Sequence, residues 1–187
     1  MKLAIAKLKS TTPYSQSKYY SVEKEAKELA VDYEARTWRE RCHVNDKGQV
    51  FIPPMAFANS LKEAAKYLSV SIPGKGKSTY TKHFISGVLV TEPVYLPLQK
   101  EDVKGEWVFV PSDGQRGGGK RVEKCFPLIQ EWSGTVNYYI LDDIITEDIF
   151  RQVLESSGSL IGIGRFRPHN MGYYGRFEVI GLQFGNV

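Results

Sequence analysis

The chain has little of what several functional classes require. It holds only two cysteines, Cys42 and Cys125, far apart and without a CxxC or Cys/His spacing. That excludes a disulfide framework and a structural zinc site, and it points to a reducing compartment, the cytoplasm. It holds only three histidines, His43, His83 and His169, none spaced as metal ligands and none paired with a nucleophile. His43 follows Cys42, but neighbouring residues on an extended strand point to opposite faces, which discounts a Cys/His pair. No apolar run approaches about 18 residues, and the apolar stretch of MKLAIAKLKS is broken at Lys7. Neither a membrane span nor a secretory signal is expected. GKGKST at Gly74 to Thr79 lacks the glycine that a phosphate-binding P-loop needs at position 71, where Ser71 stands. Nucleotide hydrolysis is therefore not expected, and no cofactor or metal motif appears.

What is present is a globular composition: 187 residues, 42% hydrophobic, with eleven Tyr, nine Phe and a formal charge of +4. One domain spanning 1–187 is expected, with a core of ordinary size. Leu3 to Leu8 reads as a strand. FIPPMAFANSLKEAAKYL carries Phe57, Leu61, Ala64, Ala65 and Leu68 on one helical face, with Pro54 suited to the first turn. EWVFV (Glu106 to Val110), TVNYYIL (Thr135 to Leu141) and RFEVIGLQF (Arg176 to Phe184) read as strands, and the prolines of GVLVTEPVYLPL suggest edge strands. Thr146 caps a helix that runs through Ile149, Phe150, Val153 and Leu154 to Gly158. A short helix is expected at Glu23 to Leu29. The order strand, helix, several strands, helix, strand is that of a ferredoxin-like (RRM-like) α+β sandwich, with loops inserted at about 10–50, 71–83 and 111–124 and a glycine-rich loop before the last strand.

Three segments combine glycine with cations and lack carboxylates: Pro73 to His83, Gly114 to Arg121, and Gly162 to Arg176. The third lies within Gly158 to Phe177, which holds five glycines, three arginines and four aromatic rings. Glycine lets backbone N–H groups approach an anion, Lys and Arg supply charge, and rings such as Tyr80, Phe166, Tyr173 and Tyr174 offer faces for unpaired bases. Single-stranded nucleic acid is the ligand this chemistry suits, through Arg165, Arg167, Arg176, Lys75, Lys77, Lys120 and Arg121. Trp38, among Arg36, Arg39 and Arg41, fits base stacking and cation–π packing equally, whereas Trp107 and Trp132 read as core.

Two segments together resemble a known family. FIPPMAFANSLK is similar to a segment in which a strand ending in Ile-Pro leads into a helix with a Ser-Leu-Lys step, here Ile52, Pro53, Ser60, Leu61 and Lys62. IGIGRFRPHNMGYYGRFEV is similar to the glycine-rich loop before that family's closing strand. Both resemble the RAMP superfamily, the ferredoxin-like RNA-binding proteins of CRISPR systems, and most nearly its guide-RNA backbone subunits. The bulky Met55 and Phe57 depart from the small residues favoured there. The resemblance implies a protein that grips single-stranded RNA, preferred over DNA, by its sugar-phosphate backbone. It also implies stacking into homo-oligomers along the strand, and CRISPR effector proteins as partners. Arg165, Arg167 and Arg176 would contact phosphate, with Lys62 and Asn59 near the helix start. A virus-encoded relative fits the resemblance as well as an effector subunit does.

Two other functions compete with non-enzymatic binding. A RAMP-type RNA-processing endonuclease would use His169, or an acid ahead of Ile52 such as Asp32, Glu34, Glu40 or Asp46, as its acid or base. An inhibitor or mimic would bind a CRISPR protein complex through the same basic surface. Asp142-Asp143 reads as a turn signal rather than a metal site.

Overall fold

The coordinates, a computed structural model, describe residues 1–112, 114, 117 and 119–186. In chain order the regular elements are β1 (Lys2–Ser10), β2 (Tyr14–Ser15), α1 (Ala30–Thr37), β3 (Gln49–Ile52), α2 (Pro54–Leu68), α3 (Thr81–Gly87), β4 (Val88–Leu89), β5 (Val94–Gln99), β6 (Lys104–Pro111), β7 (Arg121–Ile129), β8 (Ser133–Ile140), α4 (Glu147–Ser156) and β9 (Phe177–Asn186). Among the described residues no helix is long and apolar enough to cross a membrane.

Four strands form the main sheet in the order β4-β8-β1-β9, every pair antiparallel. Helix α2 lies in the chain between β1 and β4, and α4 between β8 and β9. The inward face alternates as a half-buried strand must, with Ala4, Ala6 and Leu8 on β1 and Val136, Tyr138 and Ile140 on β8 all buried. Ala4 lies directly between Tyr138 and Phe184 on its two neighbours. Phe150 of α4 meets both rings edge-on, at 5.4 and 6.0 Å between centroids. A larger side chain at position 4 would compete with those rings for the same volume. On α2, Phe57 packs edge-on against Trp132 and Phe177, and the Ser60 hydroxyl donates to the Ser157 carbonyl (3.1 Å). That carbonyl belongs to the π-type turn, Ser157–Ile161, that extends α4.

The excursion between β4 and β8 supplies β5, β6 and β7, and the segment between β1 and α2 supplies β2 and β3, which together make the other sheets. β2-β7-β6 form one, and β3 pairs with β5 in another. Pro97 is tolerated because β5 is a two-stranded edge. β7 was not legible as a strand, because charge dilutes its alternation and Pro127 sits inside it. Pro127 pairs with Gly105 just beyond the short β2, which covers only Leu128 and Ile129. The strand therefore has a free edge where proline needs one.

Helix Glu23–Leu29 is not observed; the helix starts at Ala30 instead. The Glu28 carboxylate accepts the Glu25 N–H and two Arg36 N–H groups, and Lys27 has a φ of 64°, which no helix accommodates. Helix α1 is fixed by the buried Glu34. Its carboxylate accepts from Arg41 (2.7 Å), the Cys125 N–H (2.9 Å) and Lys124 (3.0 Å). Burial pushes this carboxyl upward, but those hydrogen bonds outweigh it and leave the group below its ordinary value. Asp142 is a turn residue, as expected. It accepts from the Ile144 N–H and pairs with His83 Nδ1 at 2.6 Å.

A cleft beneath the C-terminal glycine loop

The glycine loop leaves the π-type turn at Gly162 and returns to β9 at Arg176 as a tightly closed, two-layer structure. A Cβ at Gly172 would lie 1.8 Å from the Phe166 carbonyl oxygen, and one at Gly175 the same distance from that of Ile163. At Gly164 it would meet Ser15 O and the Tyr14 ring, both at 2.4 Å. The backbone N–H groups of Ile163, Arg165, Gly172, Tyr174 and Gly175 all donate to protein carbonyls. Glycine here permits close backbone packing; it does not aim N–H groups at an anion, as the sequence suggested.

The three arginines of the loop have three environments. Arg165 is largely withdrawn: Nη2 donates to Glu106 (2.9 Å), Nε to Ser15 Oγ (3.1 Å), and the guanidinium lies 3.9 Å from the Phe126 ring centroid. Tyr174 donates its hydroxyl to the other Glu106 oxygen, and burial together with Glu106 pushes its pKa up to about 12. Arg176 donates to the Ser159 carbonyl (3.1 Å). Arg167 makes no ion pair or hydrogen bond among the described residues, and its Nε is buried without a partner. Of the arginines expected to contact phosphate, Arg165 is thus paired with Glu106, whereas Arg167 has no ion-pair partner among the described residues; both line the same cleft.

The rings divide in the same way. Phe166 and Tyr173 are exposed, whereas Tyr174 is half-buried on Glu106. His169 is exposed on a short 3-10 turn, its Nε2 3.7 Å from Glu63 of α2. Lys62 is half-buried on α2, one turn beyond the exposed Asn59. Trp38 is 6% exposed, under the Arg39 guanidinium at 4.2 Å, so its role is cation–π packing and not base stacking. Tyr80 is buried as well. Trp107, expected in the core, is instead 43% exposed on β6 beside Phe109 at 66%, while Trp132 is buried.

The other two basic loops lie elsewhere. Lys75 and Lys77 are exposed in the connection after the C-terminal end of α2, roughly 22 Å from its first turn by helix length. Lys120 and Arg121 are exposed at the tip of the β6–β7 hairpin, roughly 17 Å along β6 from Glu106. Gln115, Arg116 and Gly118 of that tip lie outside the described residues.

A cleft of about 390 Å³ lies between the glycine loop, the first turn of α2 and the 10–50 insertion. Its walls include Arg167 and Arg165 from the loop, Met55 and Asn59 from α2, and Gln16 and His43 from the insertion. The first turn of α2 has no acidic residue and no side-chain cap; Pro54 has no N–H and Ala56 donates to the Pro53 carbonyl, so the Met55 N–H and the helix dipole are what favour an anion there. Gln16 is buried and holds the floor: its amide donates to the Phe51 carbonyl (2.7 Å) and its oxygen accepts the His43 N–H (2.7 Å). Burial, helped by Lys18, lowers the His43 pKa. Gln16 and His43 were not legible as site residues, because neither sits in a motif and the insertion that carries them shows no periodicity.

No family model matches the chain, and no curated protein does. Among solved structures, the chain is similar to one chain of the cryo-EM structure of the Type III-B Cmr-beta bound to cognate target RNA, with a TM-score of 0.51 at 10% identity. That match covers 98% of this chain and 60% of the other, so the protein spans about 60% of that relative's length. Cmr6 from Pyrococcus furiosus is matched at a TM-score of 0.48 and 13% identity, over 96% of this chain and 99% of Cmr6. The likeness is one of fold: the chain shares the fold of a chain in the Type III-B Cmr-beta structure.

Proposed function

We propose that the protein is a CRISPR-associated, RAMP-type protein that binds single-stranded RNA without cleaving it. The sheet order β4-β8-β1-β9, with α2 and α4 as the two crossovers, supports reading its core as ferredoxin-like. The observation that carries the functional reading is Arg167, a cation that makes no ion pair or hydrogen bond among the described residues and feels Glu63 of α2 only at longer range, set in a cleft with the acid-free first turn of that helix. On this reading Lys62, His169 and the exposed rings of Phe166 and Tyr173 serve as further contacts for a strand that lies across the cleft mouth. The hairpin tip with Lys120 and Arg121 extends the same strand's path, and Lys75 and Lys77 contribute only to long-range attraction.

The test is a titration of labelled single-stranded RNA and DNA against the wild type and Arg167→Ala across salt. Arg167→Ala lowers RNA affinity by about tenfold and reduces the salt slope by about one. Unchanged affinity and slope would overturn the proposed surface. Cleavage of the strand would favour the nuclease instead. Capture of a CRISPR protein complex from nuclease-treated lysate, with no binding to bare RNA, would favour the inhibitor.

A further inference from the structure

The cleft contains more than a phosphate contact needs. Its volume, about 390 Å³, falls within the range of sites that enclose a small organic molecule. Beside Arg167 it presents the Asn59 side chain, which makes no hydrogen bond or ion pair among the described residues. It also presents the His43 ring, which packs at 5.7 Å on Phe51. An amide and an uncharged imidazole each offer both a donor and an acceptor, as the neutral hydrogen-bonding edge of a base requires; a phosphate would use only their donors. The lowered pKa of His43 keeps its ring in that neutral form near pH 7. Pro53 and the exposed Met55 thioether form an apolar wall on the same side as the α2 first turn. Charge at one position, an apolar wall and a neutral polar edge are together the three parts of a nucleotide. The buried, unpartnered Nε of Arg167 is a donor that the protein itself leaves unused.

We propose that the cleft encloses one unpaired nucleotide of the bound strand, its phosphate toward Arg167 and the α2 first turn, its base against Pro53 and Met55, and its edge read by Asn59 and His43. This rests on the RNA-binding reading and adds base discrimination to it. Separate titrations of the four nucleoside 5′-monophosphates and of inorganic phosphate into the intact protein, followed by calorimetry, test it. At least one mononucleotide binds saturably, about tenfold tighter than inorganic phosphate and than the least favoured base. Asn59→Ala, an exposed helix position, abolishes the preference among bases while the RNA salt slope stays at the wild-type value. His43→Gln, which keeps a neutral donor and acceptor, retains part of the preference, and thermal melts verify that both variants are folded. Equal binding of inorganic phosphate and all four mononucleotides would overturn the base pocket. RNA binding with no mononucleotide binding up to millimolar concentration would overturn it too and leave the RNA reading standing. Failure of RNA and mononucleotides alike would remove both.

Discussion

Two loops that both join glycine to cations without any carboxylate, Gly162–Arg176 and Gly114–Arg121, are physically opposite. In the first, a Cβ at Gly164, Gly172 or Gly175 would collide with backbone or ring atoms. In the second, Gly114, Gly117 and Gly119 have nothing within 4 Å of where a Cβ would stand. The C-terminal loop uses glycine to bring two backbone layers into contact, while the hairpin tip uses it only for chain reversal. Composition alone does not separate these uses. What separates them is whether another part of the chain passes within van der Waals distance, and here Pro13 to Ser15 runs directly beneath the C-terminal loop.

The sharpest way to break this contrast is alanine. Gly175→Ala, at φ 80° and 1.8 Å from a carbonyl oxygen, should destabilise the protein by about 3 kcal/mol or more. In a thermal melt that is a loss of roughly 6–12 °C. Gly119→Ala should stay within about 0.5 kcal/mol of wild type; equal melts for the two would erase the distinction. Next in size is the pair of arginines two positions apart. Arg165→Ala strips Glu106 of its cation in a half-buried site and should cost about 1–3 kcal/mol. Arg167→Ala should leave the melting temperature unchanged and act on RNA affinity alone.

A smaller effect lies at alkaline pH. Tyr174 has a folded pKa of about 12 against an ordinary 10.0, so the folded state holds a proton that the unfolded state releases. Its contribution is fully present below pH 10 and is lost as pH rises toward about 12. Tyr174→Phe should therefore flatten the decline of stability between about pH 10 and 12, measured by denaturant unfolding at several pH values. The decline will not vanish, because burial also raises the pKa values of Tyr14 and Tyr138. Smallest is Lys120→Ala with Arg121→Ala, which should weaken RNA binding by roughly two- to threefold and leave the melt unmoved.

Much of the fold was legible because it rests on local periodicity. Phe57, Leu61 and Ala64 mark α2, Phe150 and Leu154 mark α4, and alternation marks β1, β6, β8 and β9. The Thr146 cap is observed, its hydroxyl accepting the Ile149 N–H. Where tertiary contacts decide, the sequence misled. Glu28 and the left-handed Lys27 halt a helix that the local composition favours. Trp107 is exposed where the core was expected, because α1 and its following turn cover one end of β7 and leave β6 as a free edge. The site was half legible. The cations were named by composition, but the carboxylate that occupies Arg165 lies 59 residues earlier in the chain. The residues that complete the cleft, Gln16 and His43, come from an insertion without pattern.

The pairing of the first strand with the last, β1 with β9, has a temporal consequence. The cleft takes its floor from Tyr14 to His43 and its rim from Gly164 to Asn170. The pocket therefore exists only once Gly164 to Asn170 has been made and folded onto Tyr14 to His43. A guest of the pocket thereby distinguishes chains in which both segments have met from chains in which they have not, however well the helices between them have formed.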